Sequence, residues 1–379
     1  MKLTSKSHVY IILTVWAIIQ GIFIYSHGII AAGESVKYIT EAQTLLSTGT
    51  VSSTFYWFYF TQILLLALAF KSGLGFVLVV AIQLLFSAWA AIAFYRLLKH
   101  LFTPQAALAG TLLFLLNYPL QEFNLYLQTE SLFYSFTILI SAYLLRLSKL
   151  TWLHFITISF LSVLLCITRP TGLLFVPAIG VYLFFAFVKT ISTRVKMIIL
   201  ATLAITFLIV MNAVMGSKGE WDFMLPYLDE RIICGVPTLH HFVDIKTDPD
   251  GDSIYGLFYY IAHNFDQFSR MAFLRSKAFF GLQRTYYGAL HNVYLALFFF
   301  PQYAAALLSI KWWLKNNAYR FIYLSFSLLM TWGTTLLTCD DWHNRWFLSI
   351  SPFLIILGLP AINKLFAIFT FYGPKRDIQ

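Results

Sequence analysis

Four short segments bring together residue types that could do chemistry. The first is Gly33-Glu34-Ser35-Val36-Lys37-Tyr38, continuing to Gly49, which follows the first apolar run. Glu34 stands where a helix would leave a membrane, and Tyr38, Ala42 and Leu45 recur at helical spacing. A carboxylate held at a lipid boundary can act as general base on a substrate arriving from lipid. It can equally be a solvated acid at the start of a short helix, favoured by the helix dipole. The second is Leu127-Gln128-Thr129-Glu130-Ser131-Leu132, where Thr129 is placed to cap the next helix and Glu130 falls in its first turn. Glu122 is a weaker acid in the same connection. The third is Arg169-Pro170-Thr171-Gly172, whose arginine either snorkels to an interface or holds an anion. The fourth, Cys339-Asp340-Asp341-Trp342-His343-Asn344-Arg345-Trp346, packs acids, a histidine and an arginine into one turn. It suits metal, phosphate or sugar, or a solvated turn of internal ion pairs.

Other clusters carry less. Asp248, Asp250 and Asp252 resemble the start of a calcium loop, but Gly251 is not at the required sixth position and the twelfth is Tyr259. His240-His241 has no third ligand at metal spacing, and Asp340, Asp341 and His343 do not form one either, so no metal site is assigned. Cys166 reads as a small core residue, whereas Cys234 and Cys339 fall in segments where a disulfide is chemically open. There is no phosphate-cradling glycine loop, nucleophile elbow or zinc-spaced cysteine set.

The elements that must position these residues are apolar helices. Of 379 residues, 59% are hydrophobic and only 11% charged, which takes the chain out of the usual soluble range. Helical spans are expected at 9–30, 76–98, 105–118, 131–147, 152–168, 171–188, 196–214, 289–310, 321–338 and 346–363, ten in all. These runs are apolar on every face, unlike the alternating strands of a barrel. The first is longer than a secretory signal core and reads as a retained anchor. The expected fold is therefore all-α, a polytopic transmembrane bundle forming a single membrane domain over 1–379. A net charge of +10 has no basic domain behind it, so the excess reads as topology rather than nucleic-acid binding.

Charge also decides how 55–70 is read. If this aromatic segment does not span, Arg96/Lys99, Arg146/Lys149, Lys189/Arg194/Lys196, Lys311/Lys315/Arg320 and Lys375/Arg376 all join Lys2 and Lys6 on the cytoplasmic side. If it spans, those connections are translocated. The expectation is a re-entrant or interfacial helix on the outer face. Fifteen of the 26 cations then lie inside with one acid, Asp377, while the other fifteen of 16 acids lie outside. Both termini are cytoplasmic, and the large outer segments are 31–75 and 215–288. The latter contains an aromatic stretch suited to an interface.

Taken in order, these motifs resemble the GT-C superfamily, multispanning glycosyltransferases that use polyprenyl-phosphate sugars, such as aminoarabinose transferases and protein mannosyltransferases. The resemblance rests on Glu34, Ser35, Tyr38, Ala42 and Gly49, on Thr129-Glu130, on Arg169-Pro170-Thr171-Gly172, and on Arg345-Trp346 with Pro352. The family's first-loop acid is usually Asp, often with a second acid where this chain has Ser35. The large C-terminal soluble domain of some members is absent here.

The resemblance implies an inverting transfer from a lipid-linked donor in a cytoplasmic (inner) membrane, on its extracytoplasmic face. Glu34 would be the base, with Glu130 orienting the acceptor or supporting it. Arg345 is the first choice for the donor phosphate, followed by Arg169, His343 and Lys71, with Tyr38 and Asp341 also lining the substrate site. No cofactor is implied, and the acceptor is a lipid, glycan or protein hydroxyl. The rival readings are a transporter or flippase of lipid-linked glycans, which should place polar residues at mid-bilayer, and a noncatalytic subunit of envelope glycan assembly.

Overall fold

The computed structural model describes residues 5–188, 192–215, 224–236, 245–248 and 251–371. It is all-helical, and among the described residues the only β pairing is two isolated bridges, Ile30 with Tyr126 and Ile233 with Asp340. In order the helices are α1 (Ser5–His27), α2 (Ser35–Thr48), α3 (Phe60–Ser72), α4 (Gly75–Leu101), α5 (Pro104–Leu116), α6 (Tyr118–Glu122), α7 (Glu130–Leu144) and α8 (Trp152–Cys166). There follow α9 (Phe175–Phe187), α10 (Thr193–Met215), α11 (Leu225–Leu228), α12 (Ile254–His263), α13 (Phe265–Gly281), α14 (Ala289–Asn316), α15 (Ala318–Leu337) and α16 (Arg345–Phe371). The 3₁₀ segments Thr54–Tyr59, Phe123–Leu125 and Pro170–Leu174 lie between them.

The protein is membrane-embedded. Six helical stretches, Ser5–His27, Thr54–Ser72, Gly75–Leu101, Pro170–Phe187, Ala289–Asn316 and Arg345–Lys364, are long and apolar enough to cross. α5, α7, α8 and the 197–209 part of α10 are apolar but shorter, and α15 is in neither group. The stretch from Thr54 to Ser72, expected to lie along the interface, thus has the length and hydropathy of a span. Its first six residues are 3₁₀ and the next thirteen form α3, which together rise about 30 Å, the thickness of a hydrocarbon core.

The chain divides into two compact units. Unit 1 comprises 1–177, 298–324 and 348–379, and unit 2 comprises 178–297 and 325–347. In unit 1, α4 packs against α3, α5 and α7, and α7 packs against α8. Every residue of α7 except Tyr143 is buried, as expected of a helix apolar all round. Its hydroxyls bond back along the helix, Thr137 to the Phe133 carbonyl at 2.9 Å and Ser141 to that of Thr137 at 2.6 Å. α1 and α8 leave Ile18, Ile22, Ile24, Trp152, Leu153, Phe160 and Val163 exposed, a surface that suits lipid.

The segment before α7 is held by buried amides as well as by the buried side chains of Leu120, Phe123, Leu125 and Leu127. Ile30 donates to the Leu125 carbonyl and accepts from Leu127, both at 3.0 Å. Gln83 donates to the carbonyls of Tyr126 (2.9 Å) and Gln128 (3.3 Å). Asn124 donates to Ser87 at 3.0 Å and accepts from Ser131 at 2.7 Å. The turn carrying Glu34 and the turn carrying Glu130 are thereby tied together in unit 1. Gly33, at φ +64°, makes the bend into α2 that an L side chain rarely adopts.

Proline and glycine break the long apolar run as expected. α8 ends at Cys166, Arg169 is extended, and Pro170 opens the 3₁₀ turn. Gly172 is required by close approach, because a Cβ there would lie 2.5 Å from the Leu165 carbonyl oxygen. Gly172→Ala should therefore lower the Tm of the detergent-solubilised protein by several degrees. Gly21→Ala, in a helix with nothing within 4 Å of the new Cβ, should leave Tm unchanged or slightly raised. Differential scanning fluorimetry of the two variants checks this.

Candidate functional site

In unit 1 the centre is an ion pair between Glu130 and Arg169. The Glu130 side chain has no exposed surface and that of Arg169 has 9%. Each helix geometry contributes. Glu130 is the first residue of α7, where free N–H groups favour negative charge, and the extended backbone at Arg169 lies between α8 and the Pro170 turn. Thr129 stands at the N-cap position, but it does not cap the helix as expected. Its hydroxyl instead approaches the Glu130 carboxylate at 3.5 Å, because Thr129 already has helical backbone angles.

Tyr38 belongs to the same neighbourhood. Burial first, then Tyr59 and the carboxylates of Glu130 and Glu34, hold its phenol well above its ordinary pKa, against the opposing pull of Arg169. Tyr38 therefore remains a protonated donor. Its ring lies 5.3 Å from that of Tyr59, and the Lys37 ammonium sits over both rings at 5.1 and 5.0 Å. Glu34 makes no side-chain cap of α2, pairs with Lys37 at 3.7 Å, and keeps 32% of its side chain exposed. Of the predicted face, Tyr38 and Ala42 are buried and Leu45 is half-buried, and Glu41 is buried beside them, accepting from the backbone and hydroxyl of Ser52 at 3.0 and 2.6 Å. Glu122 accepts from Tyr126 at 3.3 Å, and burial raises its carboxyl pKa despite His27. Lys71 lies in the exposed last turn of α3.

Unit 2 holds a second charged cluster. Asp341 receives the Arg345 guanidinium on both oxygens, Nε at 2.9 and 3.0 Å and the terminal nitrogen at 2.8 Å. It also accepts the backbone N–H groups of His343 (3.0 Å) and Arg345 (3.3 Å). Arg284 bonds Asp340 and Asn344, both pairs buried. Burial pushes the Asp340 carboxyl up to about 7, with Asp341 adding to the rise and Arg284 opposing it. Asn344 takes φ +57°, which its side chain tolerates better than most. The His343 ring lies tilted against that of Trp342, ring centroids 3.7 Å apart.

The scaffold of this turn was only partly visible in the sequence. Cys234 and Cys339 are joined in a disulfide, and Cys234 donates its backbone N–H to the Asp340 carbonyl at 2.8 Å. Arg275 was not singled out, yet it is fully buried and donates to the carbonyls of Arg231, Leu336 and Pro226 at 2.9 Å each. Its guanidinium lies 4.7 Å from the Tyr227 ring centre. Arg284 was likewise missed, for nothing in Gln283-Arg284-Thr285 sets it apart from a surface cation.

Asp252 accepts from the backbone of Met224 at 3.3 Å, while Asp250 and His240-His241 lie outside the described residues. Among the described residues no three His, Cys, Asp or Glu side chains stand together to hold a metal. No family model matches the chain, nor does any curated protein or solved structure.

Removing one member of a buried pair strands the other charge at a cost of about 3–5 kcal/mol. Glu130→Gln and Arg169→Gln should each lower Tm markedly. The double variant should lose less than the sum of the two, as a double-mutant cycle of Tm shifts will show. The disulfide closes a segment with a sequence separation of 105. Dithiothreitol should accordingly lower the wild-type Tm and leave that of Cys234→Ser/Cys339→Ser unmoved.

Proposed function

We propose that this chain is a membrane glycosyltransferase of the GT-C type, moving a sugar from a polyprenyl-phosphate donor to an acceptor hydroxyl on the extracytoplasmic face with inversion. The observation that carries the reading is the grouping around Tyr38, whose phenol feels Glu34, Glu130 and Arg169 together. Three of the four motif segments thus contribute to one neighbourhood of unit 1, with charges at helix ends rather than along helix middles. Support for ten spans, with 55–70 lying along the outer interface, comes from the sidedness of the cations.

The two carboxylates suit different tasks. Glu130 is buried against a guanidinium and has no exposed surface, so it is a positioning residue that fixes Arg169 and the start of α7. Glu34 keeps 32% of its side chain exposed, which leaves it able to meet a hydroxyl. In the proposed step Glu34 takes the acceptor proton as the oxygen forms its bond to the anomeric carbon. The bond from that carbon to the phosphate oxygen breaks, and the polyprenyl phosphate leaves with the electron pair. A cation placed on the leaving phosphate stabilises the developing charge. Arg169, which shares the neighbourhood of Tyr38 and Glu34, is the proposed phosphate contact; within unit 2, Asp341 holds the Arg345 fork in place. Donor and acceptor are its proposed partners, with no cofactor.

Purified protein incubated with a panel of polyprenyl-phosphate sugars, and its products read by mass spectrometry, tests the activity. Glu34→Gln should fold normally and lose at least about a hundredfold in transfer rate, the usual contribution of a general base. Transfer by that variant at the wild-type rate would remove Glu34 from the mechanism.

A further inference from the structure

Gln62 lies in the first turn of α3 and is completely buried, yet neither its amide nitrogen nor its amide oxygen has a hydrogen-bond partner. Buried side-chain amides are almost always matched, so this one points to a ligand or an ordered water. The Thr171 hydroxyl is also buried without a partner. The two belong to segments that are joined directly. Thr61 donates its N–H to the Ile167 carbonyl at 3.1 Å, and Thr168 donates to the Thr61 hydroxyl at 3.0 Å. Three residues before Gln62, one helical turn away, Tyr59 packs on Tyr38. The first turn of α3 is therefore attached both to Tyr38 and to the break that carries Arg169.

We infer that Gln62, with Thr171, reads the hydroxyls of the sugar ring in the substrate. The inference rests on the glycosyltransferase reading and adds a specificity-determining residue to it. Ligand chemistry decides among the candidates. A phosphate offers only acceptors and would leave the Gln62 oxygen unmatched, and a polyprenyl chain matches neither end of the amide. A hydroxylated ring presents groups that each donate and accept, so neighbouring hydroxyls satisfy both ends of Gln62, and a further one meets Thr171.

The test uses full-length protein in nanodiscs, the polyprenyl-phosphate sugar it transfers best, and the monodeoxy analogues of that sugar. Wild type should lose about tenfold in kcat/KM for at least one analogue, the worth of one good hydrogen bond. Gln62→Met, which keeps the volume and removes both amide atoms, should be slower with the parent sugar. It should no longer distinguish that analogue, and its Tm should equal or exceed that of wild type. Wild-type discrimination by Gln62→Met would mean that only a water occupies the site, and would overturn the inference while leaving the transferase reading intact. A Tm drop of the size seen on losing a core hydrogen bond would overturn it too, by showing that the amide has protein partners. If wild type transfers none of the sugars, the parent reading fails first and this one with it.

Discussion

The pair between Glu130 and Arg169 is the interaction on which the geometry of unit 1 depends. Two ions removed from water among apolar helices lose several kcal/mol of solvation each, and only close contact and further polar neighbours offset it. Each partner is therefore held where it is by the cost of leaving the other alone. Glu130 gains from the free N–H groups at the start of α7. Arg169 needs the helix to stop before it, since continuing α8 would carry its side chain around the helix axis. Pro170 and Gly172 supply that stop, and Gly172 is necessary because the returning chain passes too close to Leu165 for a side chain. The ion pair thus explains why a run of nearly forty apolar residues is interrupted where it is.

The neighbouring turns follow from the same constraint. A buried carboxylate at a helix start has to be approached by a loop whose own polar groups are satisfied, and two amides and a hydroxyl do this work. Gln83, Asn124 and Ser131 hold the approach to α7, while the short bridge between Ile30 and Tyr126 draws in the turn before α2. Unit 2 reaches a comparable end by other means. There Arg275 gathers three backbone carbonyls, a disulfide secures Cys339, and two arginines meet two aspartates around Asn344. In both units arginine fixes irregular backbone, which fits its five donors in a rigid fork.

These differences govern what the sequence could reveal. Helical class and membrane embedding were legible because they depend on composition and on the absence of period-two alternation. The break at Arg169-Pro170-Thr171-Gly172 was legible because proline and glycine act locally. The buried face of α2 followed from the spacing of Tyr38 and Ala42. Partners distant in the chain were not legible. Nothing in the sequence says that Glu130 meets Arg169 rather than solvent, that Arg284 meets Asp340, or that Cys234 and Cys339 bond. Thr129 shows the limit within one turn. Its type and position suggest a cap, but its backbone is already helical, so its hydroxyl turns to the adjacent carboxylate instead.

The two acids of the candidate site carry the same formal charge and stand on connected turns, yet their surroundings separate them. Burial raises the cost of a bare carboxylate, and Arg169 removes that cost for Glu130 by binding it. A carboxylate so bound has no exposed surface to offer a substrate. Glu34 keeps 32% of its side chain exposed, with Lys37 at 3.7 Å. Tyr38 lies within reach of both fields, and its raised pKa keeps its phenol a donor. The fold draws on Glu130 for its stability and leaves Glu34 near the surface, so burial and pairing separate the two acids independently of any likeness in the order of motifs.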